Sequence, residues 1–385
     1  MFPLHGIFER KPDHPMFDVA EAQKLHCRQA EFADMKKVHL LVCDLFLPED
    51  VAAGVCAGLR LPALENMLAR GTPASPASTG EGASLETLLC EAFGVQRQTQ
   101  APIAPFSAAF DGLGEGGGWL RADPVHLRLQ RDQMVLLPET GIEAGEAGQL
   151  CAALNEHFAG QGMEFFAPHP QRWYIRVAAL PDIETVPLSQ AAGRNVRDLL
   201  PKGRQAAHWH RIFNEIQMLL FAHPVNEARE TRGELPVNSL WLWGCGCTGD
   251  ASPQRAYDCV GSDETLAEML AVATGITFAG WSAQWRDEES CDRQLLVWVG
   301  LRQALRRGDL DAWRAALQEF ETGYAQPLWR ALRAGRIAQL QLDILGGSRV
   351  RRLLLPRSGA WSFWRRARPL VEYSMVRDAA SWHEG

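Results

Sequence analysis

The run Val38-His39-Leu40-Leu41-Val42-Cys43, stopped by Asp44 and followed by Pro48, constrains this chain more than any other feature. It is short, apolar and rich in β-forming residues, which predicts a buried strand. Pro48 prevents its simple continuation. A carboxylate at the C-terminal end of such a strand stands where open α/β sheets place their sites. Helical periods accompany the strand. Ala147, Leu150, Cys151, Leu154 and Phe158 make an amphipathic stripe over 143–158. Trp209, Ile212, Phe213, Ile216, Leu219 and Leu220 make another over 204–222, ended by Pro224. Helices are also predicted over 84–93, 263–273, 309–321 and 327–334. Strands are predicted over 173–177, 237–243 and 295–299, with two more around a polar turn in 119–137. The mixture is that of an α/β protein.

At 385 residues the chain exceeds the roughly 250–300 at which one core stops growing. The reading divides it into an N-terminal arm (1–36), the first part of an α/β domain (37–110), an inserted α+β subdomain (111–200), and the rest of the domain with a basic C-terminal region (201–385). Residues 71–82 and 111–118 read as loops; the glycines of the second lack the strand–GxGxxG–helix pattern of a phosphate cradle. A net charge of −7 argues against a mainly nucleic-acid-binding chain. No apolar run approaches the roughly 20 residues of a membrane span, and the first residues lack the basic start and apolar stretch of a secretory signal. Nine cysteines are scattered, Cys151 on an apolar helix face and Cys43 in an apolar run. They are expected to be free thiols of a cytoplasmic protein. Cys245-Gly246-Cys247 lacks a second ligand pair for zinc and reads as thiols in a glycine turn closing the 237–243 strand.

Three stretches carry a family likeness: Trp119-Leu120-Arg121-Ala122-Asp123-Pro124-Val125-His126-Leu127; His223-Pro224-Val225-Asn226-Glu227-Ala228-Arg229; and Pro236-Val237-Asn238-Ser239-Leu240-Trp241-Leu242-Trp243-Gly244. In this order and spacing they resemble the archaeal-type cofactor-independent phosphoglycerate mutases of the alkaline phosphatase superfamily. The match to a bacterial offshoot, the RpfE-type regulatory proteins, is closer still. The resemblance implies an alkaline-phosphatase-like central sheet flanked by helices, with an inserted α+β substrate-binding subdomain. It also implies a phosphate-facing role for Arg121, with Asp123 replacing an asparagine, and cleft-lining or bracing roles for Asn226, Arg229 and Asn238, beside Trp241, Trp243 and Gly244. His126 joins these cleft candidates. Two readings stand for this set: a retained cleft for a small phosphorylated or carboxylated ligand, since arginine suits anions, or an internal hydrogen-bond network.

Phosphoryl transfer by this route needs two divalent metals about 4 Å apart and a hydroxyl nucleophile. Asp44 is placed as a relic ligand or as a plain strand-end cap. The family's glycine–serine–aspartate falls on Gly80-Glu81-Gly82, and Ser78, Thr79 and Ser84 lack its flanks. After residue 260 the sole histidine is His383, and Asp343 has no histidine adjoining it in the sequence. The expectation is therefore a catalytically degenerate, regulatory or binding protein without a cofactor. The alternative is an active metal-dependent mutase or phosphatase using manganese or zinc. Finally, residues 349–368 hold seven arginines, no acid, and Trp361, Phe363 and Trp364. Either Arg365, Arg366, Trp361 and Trp364 form a surface for an acidic protein partner, or the arginines pair internally and the aromatics pack.

Overall fold

A computed structural model describes residues 36–74, 82–95, 100–114, 116–247, 252–287 and 290–373. The expectations placed on the arm before Lys36, on Gly80-Glu81 and on His383 lie outside these residues. Strand β1 (Lys37–Cys43) is the centre of a seven-stranded sheet. Its order is β2 (Thr72–Pro73), β12 (Arg349–Pro356), β11 (Gln339–Gly346), β1, β10 (Arg293–Trp298), β8 (Cys259–Ser262) and β9 (Thr277–Gly280). β11, β1, β10, β8 and β9 are parallel, and β12 and β2 add an antiparallel margin. Because helices cover both faces, β1 is apolar on both. Val38, Leu40 and Val42 pack into one core cluster, and Leu41 and Cys43 into the other.

The helices, in chain order, are α1 (Glu49–Val55), α2 (Pro62–Arg70), α3 (Leu85–Ala92), α4 (Ile103–Phe110), α5 (Ala144–His157), the single turn α6 (Leu188–Ala191), α7 (Ala206–Phe221), α8 (Pro224–Thr231), α9 (Thr265–Ala273), α10 (Gly300–Arg306), α11 (Leu310–Phe320) and α12 (Gln326–Ala334). The last two run together through a π turn, Glu321–Ala325. Glu321 is buried there, and its carboxylate accepts hydrogen bonds from the Ala63 and Leu64 amides at 2.8 and 3.0 Å. Helix α2 has no side-chain cap of its own, so this distant carboxylate meets its orphan N–H groups.

A second, antiparallel sheet holds β4 (Gln133–Leu137), β3 (Gly118–Gln130), β6 (Arg172–Val177) and β5 (Met163–His169). β7 (Ser239–Cys247) also pairs with β3. The apolar stripes of α5 and α7 pack on it through Leu150, Leu154, Ile212 and Ile216. β7, beyond residue 200, thus belongs to the same sheet as β3.

Two expectations are corrected. Gly244-Cys245-Gly246 does not close a strand; β7 continues through Cys247, paired with β3 across a bulge. The glycines serve a close approach instead. A Cβ on Gly246 would lie 2.5 Å from Pro102 Cβ, and one on Gly244 would lie 3.2 Å from Ile103 Cβ, so α4 packs directly on this backbone. Second, not all nine cysteines are free thiols: Cys259 and Cys291 form a disulfide. Cys259 opens β8, and Cys291 stands just before β10, its parallel neighbour. Strand pairing brings the two Cα atoms to 6.0 Å, within bridging range. Cys43, Cys90, Cys151 and Cys245 are buried without a disulfide. Burial pushes Cys151 up to about 11 and Cys90 to about 12, which leaves them poor nucleophiles.

Candidate functional site: a cleft between the two sheets

A cavity of about 400 Å³ lies between the C-terminal edge of the parallel strands and the second sheet. Glu86, Glu264, Arg302 and Arg306 line it from the first side, and Arg121, Asp123, His169, Arg172 and Trp243 from the second.

Asp44 stands at the end of β1 with φ of +61°. Left-handed backbone is uncommon outside glycine, though aspartate tolerates it, and such conformations gather at functional sites. Neighbours on both sides hold the turn: the Asp44 amide donates to Leu345 O at 2.7 Å, and the Trp313 indole donates to Asp44 O at 3.3 Å. The carboxylate is committed as well. Asp44 Oδ2 accepts a hydrogen bond from Arg302 Nε at 2.9 Å, with both side chains largely shielded from solvent. Arg302 lies in the first turn of α10, directly after β10, the parallel neighbour of β1. Burial opposes its charge, but Cys43, Asp44 and Glu86 outweigh this and hold its pKa above the ordinary value. Glu264 is pushed up, by burial first and by Glu86 and Asp263 in the same direction. Arg302 is therefore the positive centre of an acidic neighbourhood.

Glu86 occupies the first turn of α3, is buried, and leaves Oε2 without a hydrogen-bond partner among the described residues. Ser84, the remaining described candidate for a nucleophilic hydroxyl on this segment, is a helix cap. Its Oγ accepts from the Thr87 amide at 3.1 Å, and Thr87 Oγ1 answers to the Ser84 amide at 2.8 Å.

The donor set does not fit the two metals that the family likeness implies. Asp44 faces a guanidinium at hydrogen-bond distance, and among the described residues no three His, Cys, Asp or Glu side chains are grouped to hold an ion. Asp343 is engaged elsewhere. It is fully buried on β11, where a histidine adjoins it in space though not in sequence: His39 Nε2 lies 3.1 Å from Asp343 Oδ2. Arg352 Nε donates to both carboxylate oxygens at 3.0 Å, and Tyr257 Oη lies 2.8 Å from His39 Nδ1. This chain of polar groups spans β1, β11 and β12 and forms none of the cleft's lining.

On the second side, Arg121 is buried between two aromatic rings, with Cζ 5.3 Å from the Tyr174 centroid and 5.1 Å from that of Trp243. All three of its nitrogens are used. Nε and Nη2 donate to Asp123 Oδ1 at 3.0 and 2.7 Å, and Nη1 donates to Ser107 Oγ at 2.7 Å. Trp243 Nε1 donates to Asp123 Oδ2 at 2.7 Å. Beside them Arg172 makes a bidentate pair with Asp111, at 2.9 and 2.7 Å. Arg121, Asp123 and Trp243 thus reach the cleft, but the aspartate at position 123 already supplies Arg121 with its anion.

Asn226, Arg229, Asn238, His126 and Trp241 are not among the lining residues. Asn226 Nδ2 donates to Leu220 O and Val237 O at 2.7 and 2.9 Å, and its Oδ1 accepts from the Val237 amide at 2.9 Å. Arg229 donates to Leu235 O, Thr140 O and Glu146. Asn238 exchanges two bonds with the Leu127 backbone, at 2.7 and 3.0 Å. His126 Nδ1 lies 2.9 Å from Pro236 O, and Trp241 Nε1 donates to Val186 O at 2.8 Å. These bonds tie α7, α8 and the approach to β7 onto β3, which is the bracing reading of the motif. The sequence reading missed Arg302, Arg306, Arg172 and Glu86. Arg302 was findable: it follows a predicted strand within one turn, where the strand-end rule places a site.

Fold and cleft define a two-sheet α/β protein with a cleft at the strand ends. No family model matches the chain. Curated relatives match in part. It is 29% identical over 133 residues to the 2,3-bisphosphoglycerate-independent phosphoglycerate mutase 2 of Methanothermobacter thermautotrophicus, covering 34% of this chain and 33% of that one. It is 27% identical over 151 residues to the probable 2,3-bisphosphoglycerate-independent phosphoglycerate mutase of Geobacter sulfurreducens, covering 37% of each. The match spans about a third of these relatives' length. Among solved structures, the PH0037 protein from Pyrococcus horikoshii aligns with a TM-score of 0.50 at 14% identity, over 84% of this chain and 88% of that one. A cofactor-independent phosphoglycerate mutase from Thermoplasma acidophilum aligns with a TM-score of 0.40 at 15% identity, over 84% and 90%. The chain resembles the cofactor-independent phosphoglycerate mutases.

Proposed function

We propose that this is a phosphoglycerate-mutase-like protein that has lost phosphoryl transfer and kept its cleft for binding, in a regulatory role of the RpfE type. One observation carries the reading: Arg302 satisfies the carboxylate of Asp44, the residue placed where the resembling enzymes need a metal ligand. A tethered guanidinium stands in for a divalent cation as the counter-charge, and it offers no open coordination position to a phosphoryl oxygen. The Arg121–Asp123 pair is consistent with the same change on the other wall. The ligand we assign to the cleft is a small phosphorylated or carboxylated molecule. Arg306, at the mouth, has no carboxylate within ion-pair distance among the described residues. Its one hydrogen bond there, to Ser189 O, is long at 3.4 Å. A ligand donor group would meet the unpaired Glu86 oxygen.

The experiment uses 3-phosphoglycerate as the probe, with and without manganese. The expected result is no 2-phosphoglycerate, together with a rise in melting temperature on adding the probe that Arg306→Ala abolishes. Manganese-dependent conversion would overturn the degenerate reading and favour the active, metal-dependent enzyme. No thermal shift at millimolar probe would remove this ligand class.

A further inference from the structure

The arginine-rich stretch 349–368 separates into two parts. Arg351 and Arg352 belong to β12 and are held internally: Arg351 Nη1 donates to Tyr373 O at 2.7 Å, and Arg352 pairs with Asp343 and Glu91. Beyond β12 the pattern changes. Trp361, Phe363 and Trp364 are 54%, 80% and 68% exposed. These are high values for three large aromatics within four residues, and contiguous exposed apolar surface marks interaction sites. Phe363 and Trp364 meet edge to face at 5.4 Å, which presents them as one ridge.

The fold adds arginines that the local sequence does not contain. Arg333 of α12 lies 4.8 Å over the Trp361 ring. Arg70, at the end of α2, donates to Ala360 O at 2.5 Å, and Arg365 reaches Arg70 O at 3.4 Å. Arg357, Arg365, Arg366 and Arg368, close to the ridge in sequence, are exposed as well. Among the described residues, the one acid paired within this group is Glu372, with Arg368 at 3.6 Å. Among the described residues, internal pairing with acids occurs at Arg352 and Arg368, whereas Trp361, Phe363 and Trp364 stand exposed.

We infer that this ridge is a docking surface for an acidic protein segment carrying apolar anchor residues. Charge complementarity selects the acid, and the exposed Trp–Arg combination is the residue set that anchors protein interfaces. Charge also selects a compact partner over an extended polyanion. The whole chain carries −7, so the surface outside this patch is more negative still. Screening reaches only about 8 Å at physiological salt. Double-stranded nucleic acid, with one charge per about 1.7 Å, or an anionic bilayer would run off the patch onto repelling surface.

The full chain is tested against three immobilised probes: a short acidic glutamate–tyrosine copolymer no longer than the ridge, phosphatidylglycerol vesicles and a duplex DNA oligonucleotide. The expected result is preferential binding to the copolymer, weakened at least tenfold by R365E/R366E and by Trp364→Ala. Melting temperatures should be unchanged, since all three side chains are exposed. Equal binding by the double variant, no binding to the copolymer, or preference for vesicles or oligonucleotide would each overturn the inference. So would a concentration-dependent dimer that R365E/R366E dissolves, because the occupant would then be a second copy.

Discussion

Replacing Asp343 with alanine is expected to lower the unfolding free energy by about 3–5 kcal/mol, the usual cost of leaving a buried ionic group without its partner. The carboxylate is fully buried, and it faces both Arg352 and His39. Burial alone would push its pKa up. The hydrogen bond and charge of His39, with Arg352 and Gln341, overcome that and hold it below the ordinary aspartate range. The sign of the pH dependence follows. A carboxyl that titrates lower in the folded than in the unfolded chain contributes its full stabilisation above the unfolded value, about pH 4. That contribution is lost as the pH falls through the lower folded value. Urea titrations at pH 7 and at several values below pH 4 measure both effects. Asp343→Ala should cost most at neutral pH and progressively less in acid. A cost below about 1 kcal/mol at pH 7 would mean that the network contributes only what a surface ion pair does.

Arg229→Ala is the second large effect, again about 3–5 kcal/mol. The side chain is 1% exposed, and it ties three segments together: Glu146 in the first turn of α5, Thr140 O before that helix, and Leu235 O before β7. Removing it deprives two carbonyls of this donor and leaves Glu146 with only its bonds to Arg232 and the Glu143 amide. Arg232 provides the control. It pairs with the same Glu146 and with Glu234 but lies half exposed, so Arg232→Ala should change the denaturation midpoint far less. Equal effects from the two variants would show that burial does not govern this cluster. Neither residue lines the cleft, so ligand binding by any folded fraction of either variant should be unchanged.

Much of this architecture was legible in the sequence. The apolar run of β1, interrupted only by His39, announces a strand covered on both faces, and the stripes of α5 and α7 announce which helices cover the second sheet. Local periodicity carries those signals, and the structure bounds these elements within a residue or two of the reading. Of the candidates read from the sequence, Arg121, Asp123 and Trp243 line the cleft, and Asp44 reaches it only through its partner Arg302. What the side chains of a cleft do to one another depends on strand order, and strand order is not local. Placing β10 next to β1 delivers Arg302 to Asp44, 258 residues away. Placing β11 on the other side delivers His39 to Asp343, which in the sequence has no histidine near it. The same pairing logic brings Cys259 and Cys291 together. Asn226, Arg229 and Asn238 illustrate the opposite limit. Residue type alone leaves an arginine or asparagine free to bind a ligand or to brace a backbone, and only the partners decide.

Arg302 as the counter-charge at Asp44, in place of a metal, is the central proposal. Metal stoichiometry tests this most directly. The protein is purified without chelator, analysed by mass spectrometry for manganese and zinc, and then titrated with each. The account predicts substoichiometric metal throughout, with Arg302 still paired to Asp44. Close to two equivalents bound per chain would contradict it, because metal would then supply the counter-charge assigned to Arg302.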